Sequence, residues 1–444
     1  MRNFFHHNRF KHLSWSLFSG VIGGGLTVIA TGVMVRSLGY EIFGVISIWI
    51  MLQGIIQVFD YGVGAALNRE LTNNQNSNDA LISGAMRFYR YNGLLLGCAV
   101  VLFLIQIYGF VGAIPYILMV VALVIQFQTL CCTAILSAVM RYDELAKSQI
   151  VSNVLRFGGA IAVVSYTDSL AWFFLYQILA ASISGYLFKQ YCSRHANFTL
   201  RPKIFECIKS LSTLVNQSLG MWVTSIVSMC LIASDRTLVG LTCGINEVGK
   251  YSAALTAASV ISLVTLPFYR VYFTEYSSVY FKDPDSLSAL FCSSCKQLVL
   301  IVTMIWLVGF LGAELIFNIW LGSYDEQQIY AFKILLVGLG LASVTWLPGA
   351  LCQAAGKPLI HVLAMTISLV LGVLVAVPSI HIWGYPGAAA VWLVHGLIGL
   401  VLEPYVIKRF VFPISLFDWY RKVFILPVVV IGAFFMLSFI YEKI

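Results

Sequence analysis

The chain has 444 residues, 60% of them hydrophobic and only 10% charged, with a net charge of +8 and a mean hydropathy of +0.88. A water-soluble domain carries roughly 25% charged residues, so this composition excludes a soluble fold and leaves the bilayer as solvent for most of the chain. In lipid every backbone polar group must be satisfied internally, which restricts spans to helices or a closed barrel. The apolar runs last about 20–28 residues without strand-like alternation, and they read as helices.

The N-terminal stretch carries Arg2, Arg9 and Lys11 and leads into an apolar run from Leu13 to Val35. That run is too long for a signal-peptide core and no A-x-A site follows it, so it is expected to be an uncleaved first span. Apolar runs fall at 13–36, 42–67, 83–107, 112–140, 147–166 and 169–190, and then at 211–240, 248–275, 289–316, 328–355, 358–381, 385–408 and 421–441. The fold class expected is therefore all-α and polytopic: two pseudo-repeated six-helix bundles, about 12 transmembrane helices, and an extra segment near the C-terminus. The division expected is a first bundle at 1–190, a basic linker at 191–210, a second bundle at 211–410, and a further span or tail at 411–444.

Orientation follows from Lys and Arg in the short loops. With the N-terminus inside, the inner segments hold Arg69, Arg141, Lys147, Lys189, Arg194, Arg201, Lys203, Lys209, Lys282, Lys357, Lys408, Arg409, Arg421 and Lys422. The outer ones retain Arg36 and Lys250 at span edges and Lys443 in the tail. An N-terminus facing the cytoplasm is expected. The net positive charge reads as this orientation signal; no basic run with interleaved aromatics suggests nucleic acid as a partner.

The two halves show an internal repeat. RSLGYEIFGVISIW follows the first run and LTCGINEVGKYSAAL the seventh, and Gly39, Glu41 and Gly44 pair with Gly244, Asn246 and Gly249 at one constant offset. Both places are expected to make a tight outer turn.

No nucleotide-binding motif is present. GALCQAAGKP, at 349–358, has the wrong glycine spacing and proline where a hydroxyl would hold magnesium. The cysteines are scattered, and Cys292 with Cys295 forms a single CxxC, a weak metal signal. No catalytic residues and no metal ligands are expected. The candidate residues are instead ionisable groups inside spans, which are costly there and usually face a cavity or a partner. Arg156 sits midway along the fifth run. Gln53, Gln57 and Asp60 recur at helical spacing and read as one polar stripe. Arg270 lies in the eighth run, Arg87 and Arg90 in the first turns of the third, and Lys333 near an outer end. Asp235 and Arg236 read either as functional groups or as a local ion pair. His395 reads as a helix–helix contact or a polar cavity group. Residues close to span ends, Arg87 and Lys333 among them, can also snorkel to headgroups. Buried arginines suit an anionic headgroup, because guanidinium pairs with phosphate through parallel hydrogen bonds.

Several stretches, in this order and spacing, resemble the Wzx-type O-antigen and polysaccharide flippases, a branch of the multidrug/oligosaccharidyl-lipid/polysaccharide exporter superfamily. They are LGYEIFGVISIW, FDYGVGAALNRE, ASDRTLVGLTCGINEVGKYSAALT, LCQAAGKP and WGYPGAAAVWLVHG, and the resemblance covers about residues 10–410. It implies a MATE-like fold of two six-helix bundles about a cavity open alternately to each side. The substrate it implies is an undecaprenyl-pyrophosphate-linked oligosaccharide repeat unit, moved to the periplasmic leaflet of the bacterial inner membrane. It also implies coupling to protons or sodium rather than a bound cofactor, and membrane lipid, a polysaccharide polymerase and a chain-length regulator as partners. The resemblance carries over no particular site residues; from burial and charge alone, Arg156, Arg270, Arg87, Arg90 and Lys333 are expected to form a cationic cavity. Asp60, Gln53, Gln57, Asp235, Arg236 and His395 are expected to supply polar or ion-coupling groups. Two alternatives stay open: a multidrug or metabolite cation antiporter of the same superfamily, for which Asp60 would serve, and an O-antigen polymerase or ligase, against which the short outer loops speak.

Overall fold

The structure, a computed structural model, describes residues 2–73, 79–139, 141–194, 204–280, 284–425 and 427. Every regular element among them is helical. The first half contains α1 (Arg2–Ile55), a 3₁₀ turn (Ile56–Asp60), α2 (Val63–Asn73), α3 (Asp79–Phe127), α4 (Thr129–Ala138), α5 (Tyr142–Asn153), a π-helical turn (Val154–Gly158), α6 (Gly159–Val164) and α7 (Leu170–Ser193). Then follow α8 (Ile204–Thr242), α9 (Ile245–Ala258), α10 (Val260–Val279), α11 (Pro284–Leu321), α12 (Glu326–Ala354), α13 (Pro358–Trp383), a 3₁₀ turn (Tyr385–Ala389) and α14 (Ala390–Phe410).

A straight helix as long as α1, with 54 residues, would reach about 80 Å, far beyond a hydrocarbon core of about 30 Å. It is instead interrupted at Gly39 (φ 77, ψ 172), and α3 is interrupted at Gly109 (φ 68, ψ 168). This combination of positive φ and extended ψ is open essentially to glycine alone. Gly244, at the start of α9, has nearly the same backbone (φ 102, ψ 175) as its repeat partner Gly39. The repeat read from sequence is thus a repeat of conformation. Among the described residues eight helical segments are long and apolar enough to cross a membrane, and the bent pair α9–α10 makes a ninth; the breaks at Gly39 and Gly109 divide the first two of these segments further.

The chain divides into two compact units, Met1–Met229 and Cys230–Ile444. The division therefore falls inside α8 and not in the linker at 191–210. Trp222, in the first part of α8, gives the reason: its indole N–H donates to the Val58 carbonyl at 2.8 Å, and its ring lies 5.4 Å from that of Tyr61. That part of α8 belongs to the first unit.

Three spans expected to be continuous are broken. The 42–67 run stops at the 3₁₀ turn, because Tyr61 is left-handed (φ 52, ψ 23) and Gly62 follows at φ 74. The 147–166 run widens into the π turn, and the 248–275 run bends by 47° at Ser259.

In the first unit the core forms where α2, α3, α4 and α7 meet, around Leu67, Tyr89, Phe127, Ile135 and Phe188. In the second unit α12 is buried along most of its length. It packs closely on α14 because Gly338 and Gly396 face each other; a Cβ on Gly338 would meet the Trp392–Leu393 backbone at 2.7–2.8 Å. Residues 411–424 pack back on this unit, and Trp419 stacks on Phe291 with ring centres 6.1 Å apart. The span expected at 421–441 lies outside the described residues except for 421–425 and 427. Large apolar side chains such as Leu95, Leu311 and Val401 are exposed on the outside of the legs, as a hydrocarbon solvent requires.

Candidate functional site

In the first unit Arg156 is carried by the π turn at the middle of the broken α5–α6 span. A π turn leaves carbonyls without their usual helical donors. Two side chains of α7 supply them: the Tyr176 hydroxyl donates to Leu155 O at 2.6 Å and the Gln177 amide donates to Arg156 O at 3.1 Å. Gly159 makes this possible, since a Cβ there would overlap the Tyr176 phenol. The local sequence Arg-Phe-Gly-Gly therefore sets both the turn and the cation.

The Arg156 guanidinium donates to Gln53 Oε1. It lies 5.5 Å from the Trp49 ring centre and 5.4 Å from that of Phe157, within cation–π range. Trp49 is in turn held edge-on by Phe173 and Phe174 of α7. Around this cation four buried polar atoms have no hydrogen-bond partner among the described residues: Trp49 Nε1, Gln53 Nε2, Arg156 Nε and Gln177 Oε1. Three of the four are donors. An unsatisfied buried donor costs about 1–3 kcal/mol, so a cation with its own Nε and the neighbouring Trp49 and Gln53 donors unpartnered among the described residues is suited to an oxygen-rich anion.

The other sequence-selected residues of this unit fall elsewhere. The expected stripe of Gln53, Gln57 and Asp60 does not exist, because the α-helix ends at Ile55: Gln53 meets Arg156, Gln57 is exposed, and Asp60 turns toward α3. Asp60 accepts the Gly64 N–H at 3.0 and 3.1 Å and the Tyr89 hydroxyl, capping α2 after the left-handed break. Arg87 and Arg90 line a pocket among α3, α4 and α7 that shares no residue with the Arg156 group. The expected single cationic cavity thus resolves, within this unit, into two places.

In the second unit Asp235 is fully buried on α8. It accepts the Tyr251 hydroxyl at 2.9 Å, the Trp392 indole N–H at 2.8 Å and the Arg236 backbone N–H at 2.6 Å. Adjacent helical residues do not face one another, and Arg236 reaches Asp235 through its backbone; its Nε has no partner among the described residues. His395, one turn after Trp392, pairs with Ser368 of α13 at 2.6 Å, a contact between two helices. Nearby on the same pair of helices, a largely buried His361 pairs at 2.7 Å with the buried Glu403. Gly349 makes the room, since a Cβ there would press on the His361 ring. Lys333 is half-buried with its ammonium 6.0 Å from the Phe310 ring. The side chain of Arg270 lies outside the described residues.

Sequence reasoning passed over Trp49, Gln177, Tyr251, Trp392 and His361. Trp49 precedes Gln53 by one helical turn, and Gln177 is a lone amide deep in an apolar run. Both signals were present, but only tertiary contact with Arg156 gives them meaning.

At the loop end of the second unit, Asp325 caps α12 by accepting Gln328 N–H at 2.7 Å and also takes Lys250 Nζ and Tyr385 OH, each at 2.7 Å. Lys250 was one of the few basic residues on the expected outer side, and its charge is matched there by a carboxylate. Partial burial would raise the Asp325 pKa, but the bonds from Lys250, Tyr385 and Gln328 outweigh it and hold the carboxyl below its ordinary value.

This architecture has solved counterparts. A lipid II flippase, MurJ, in an inward closed conformation superposes with a TM-score of 0.68 over 98% of this chain and 93% of that one, at 12% identity. An inward-facing MATE family multidrug resistance transporter gives 0.65 over 87% and 94%, at 17% identity. At such identities the likeness establishes the fold, which is the MATE-like one expected. In sequence, the chain is 24% identical over 421 residues to a Shigella flexneri protein described as an O-antigen transporter, covering 90% of this chain and 97% of that protein. A family described as polysaccharide biosynthesis protein matches residues 33–328, two thirds of the sequence and all of the segment that builds the Arg156 group, and the chain belongs to that family.

Proposed function

We propose that this protein is a flippase for lipid-linked oligosaccharide. It carries an undecaprenyl-pyrophosphate-linked repeat unit of O-antigen or a similar polysaccharide from the cytoplasmic to the periplasmic leaflet by alternating access, without covalent chemistry. The observation that carries the proposal is Arg156: a guanidinium inside a membrane helix, beside the Trp49 and Gln53 donors that have no partner among the described residues, in a chain of the polysaccharide biosynthesis family. A neutral solute gives no reason to keep such a group in lipid. A pyrophosphate does, since charge-assisted hydrogen bonds to guanidinium are roughly twice as strong as neutral ones.

Binding alone does not turn the carrier over. The phosphate must stabilise one conformation more than the other. The π turn offers a place where this difference can arise, because its carbonyls are held by Tyr176 and Gln177 rather than by the helix itself. The half-buried Asp60 and the buried Asp235 are the groups for coupling to a proton or sodium gradient. The location proposed is the bacterial inner membrane with a cytoplasmic N-terminus, alongside a polymerase and a chain-length regulator that take the product.

Deleting the protein in its own host tests the proposal. Single repeat units on the undecaprenyl carrier should accumulate at the cytoplasmic face, and expression of the intact chain should clear them. Accumulation at the periplasmic face would instead identify a polymerase.

A further inference from the structure

The pocket that takes Arg87 and Arg90 out of the Arg156 group has a composition of its own. It has a volume of about 820 Å³ and combines those two arginines on α3 with Lys189 on α7. Its walls include Tyr91, Leu94 and Tyr186, which are largely exposed on the outer surface of the legs. It therefore pairs three cations with an apolar opening on the face that meets hydrocarbon.

Its depth is set by the helices. Lys189 is four residues from the end of α7 at Ser193, about 6 Å, and Arg87 is eight from the start of α3 at Asp79, about 12 Å. Both helix ends lie at the side of the unit that carries the basic linker. With the spans oriented as the loop charges predict, the charges are expected at headgroup level, and the apolar walls continue from them along the span. Leu95, next on α3, and Leu179 and Ile183, earlier on α7, extend those walls as exposed side chains. A cation cluster at an interface above an apolar furrow matches an amphiphile with a phosphate head and hydrocarbon tails.

We propose that this pocket is a binding site for an anionic phospholipid of the leaflet on the linker side, separate from the Arg156 group. The phosphodiester sits among Arg87, Arg90 and Lys189, and the acyl chains run along the Leu94 and Tyr186 walls. Arg90 and Lys189 are exposed, so replacing them removes charge without opening a cavity in the core.

The test uses the purified full-length protein in detergent, titrated separately with cardiolipin, phosphatidylglycerol, phosphatidylethanolamine and undecaprenyl phosphate. Retained lipid is read by native mass spectrometry. Cardiolipin or phosphatidylglycerol should bind saturably and in preference to phosphatidylethanolamine. The double variant R90Q/K189Q should weaken that binding about tenfold or more at an unchanged melting temperature, while R90K/K189R retains it. R156Q should bind phospholipid as the parent does. Equal retention of phosphatidylethanolamine, or unchanged binding by R90Q/K189Q, overturns the proposal. So does binding through these residues of undecaprenyl phosphate alone, which would hand the pocket to the carrier. Should the double variant fail to fold, the single variants R90Q and K189Q answer the same question.

Discussion

At the scale of single residues, Arg156 and Asp325 show two ways of keeping charge in a mostly apolar chain. Arg156 keeps its charge by a hydrogen bond to Gln53, an aromatic flank from Trp49 and Phe157, and donors left over for a ligand. Arg156→Gln removes the charge and is expected to lower surface polysaccharide at least tenfold, at normal protein levels; a charge-assisted bond of about 1.5–3 kcal/mol sets that scale. Arg156→Lys should recover only part, because an ammonium lacks the planar fork. Surface polysaccharide at parental levels in Arg156→Gln would remove the residue from the transport path. Asp325 is a stabilising device. Its folded carboxyl is depressed below the ordinary value of 3.8, so its contribution is present above that value and is lost as pH falls through the depressed one. Asp325→Asn keeps a cap acceptor but loses the partly exposed ion pair with Lys250, and should therefore cost about 0.2–1 kcal/mol at neutral pH. Melting temperatures of parent and variant should converge as pH is lowered through 3.8 and below.

At the scale of elements, glycines decide where legs turn and how closely they meet. Gly39 and Gly244 hold a backbone that other residues enter only under strain, at about 1–3 kcal/mol. Gly39→Ala and Gly244→Ala should each lower thermal stability by that amount. Alanine at Gly20, where a Cβ meets nothing within 4 Å, should leave the melting curve in place. Gly159 acts by space rather than by conformation. Gly159→Ala drives a methyl into the Tyr176 phenol, so the bond from Tyr176 to Leu155 O must break or the π turn must move. Transport should fall by more than the modest loss of stability, about 1–3 kcal/mol for overpacking, explains. A variant that melts early yet transports normally in the folded fraction would show that the turn only holds the helix together.

At the scale of the whole molecule, orientation rests on charge asymmetry between loops. Alkaline phosphatase fused after Gly109, or after Gly322 at the end of α11, should be active, and fused within the 195–203 linker it should be silent. Activity at the linker would invert the assignment. The pairing of Lys250 with Asp325 explains why one lysine can lie on the sparsely basic side without contradicting that rule.

Much of this was written in the chain as local pattern. Apolar length and the scarcity of charge determine that the protein is a helical membrane protein, and turn glycines at one constant spacing determine that it is a duplicated one. These are one-dimensional properties, because a helix satisfies its own backbone and its length needs no partner. The sites were not legible in the same way. A polar residue in a span announces only that something must meet it; which residue does so is settled by helices distant in sequence. Arg156 acquires Gln53 from 103 positions away and Asp235 acquires Trp392 from 157, while Arg87 and Arg90 are drawn off to Lys189. The breaks at Tyr61, at the π turn and at Ser259 also redirect side chains that helical spacing alone would align. Hydrophobic periodicity reports what faces lipid, and only packing reports which buried polar groups face each other.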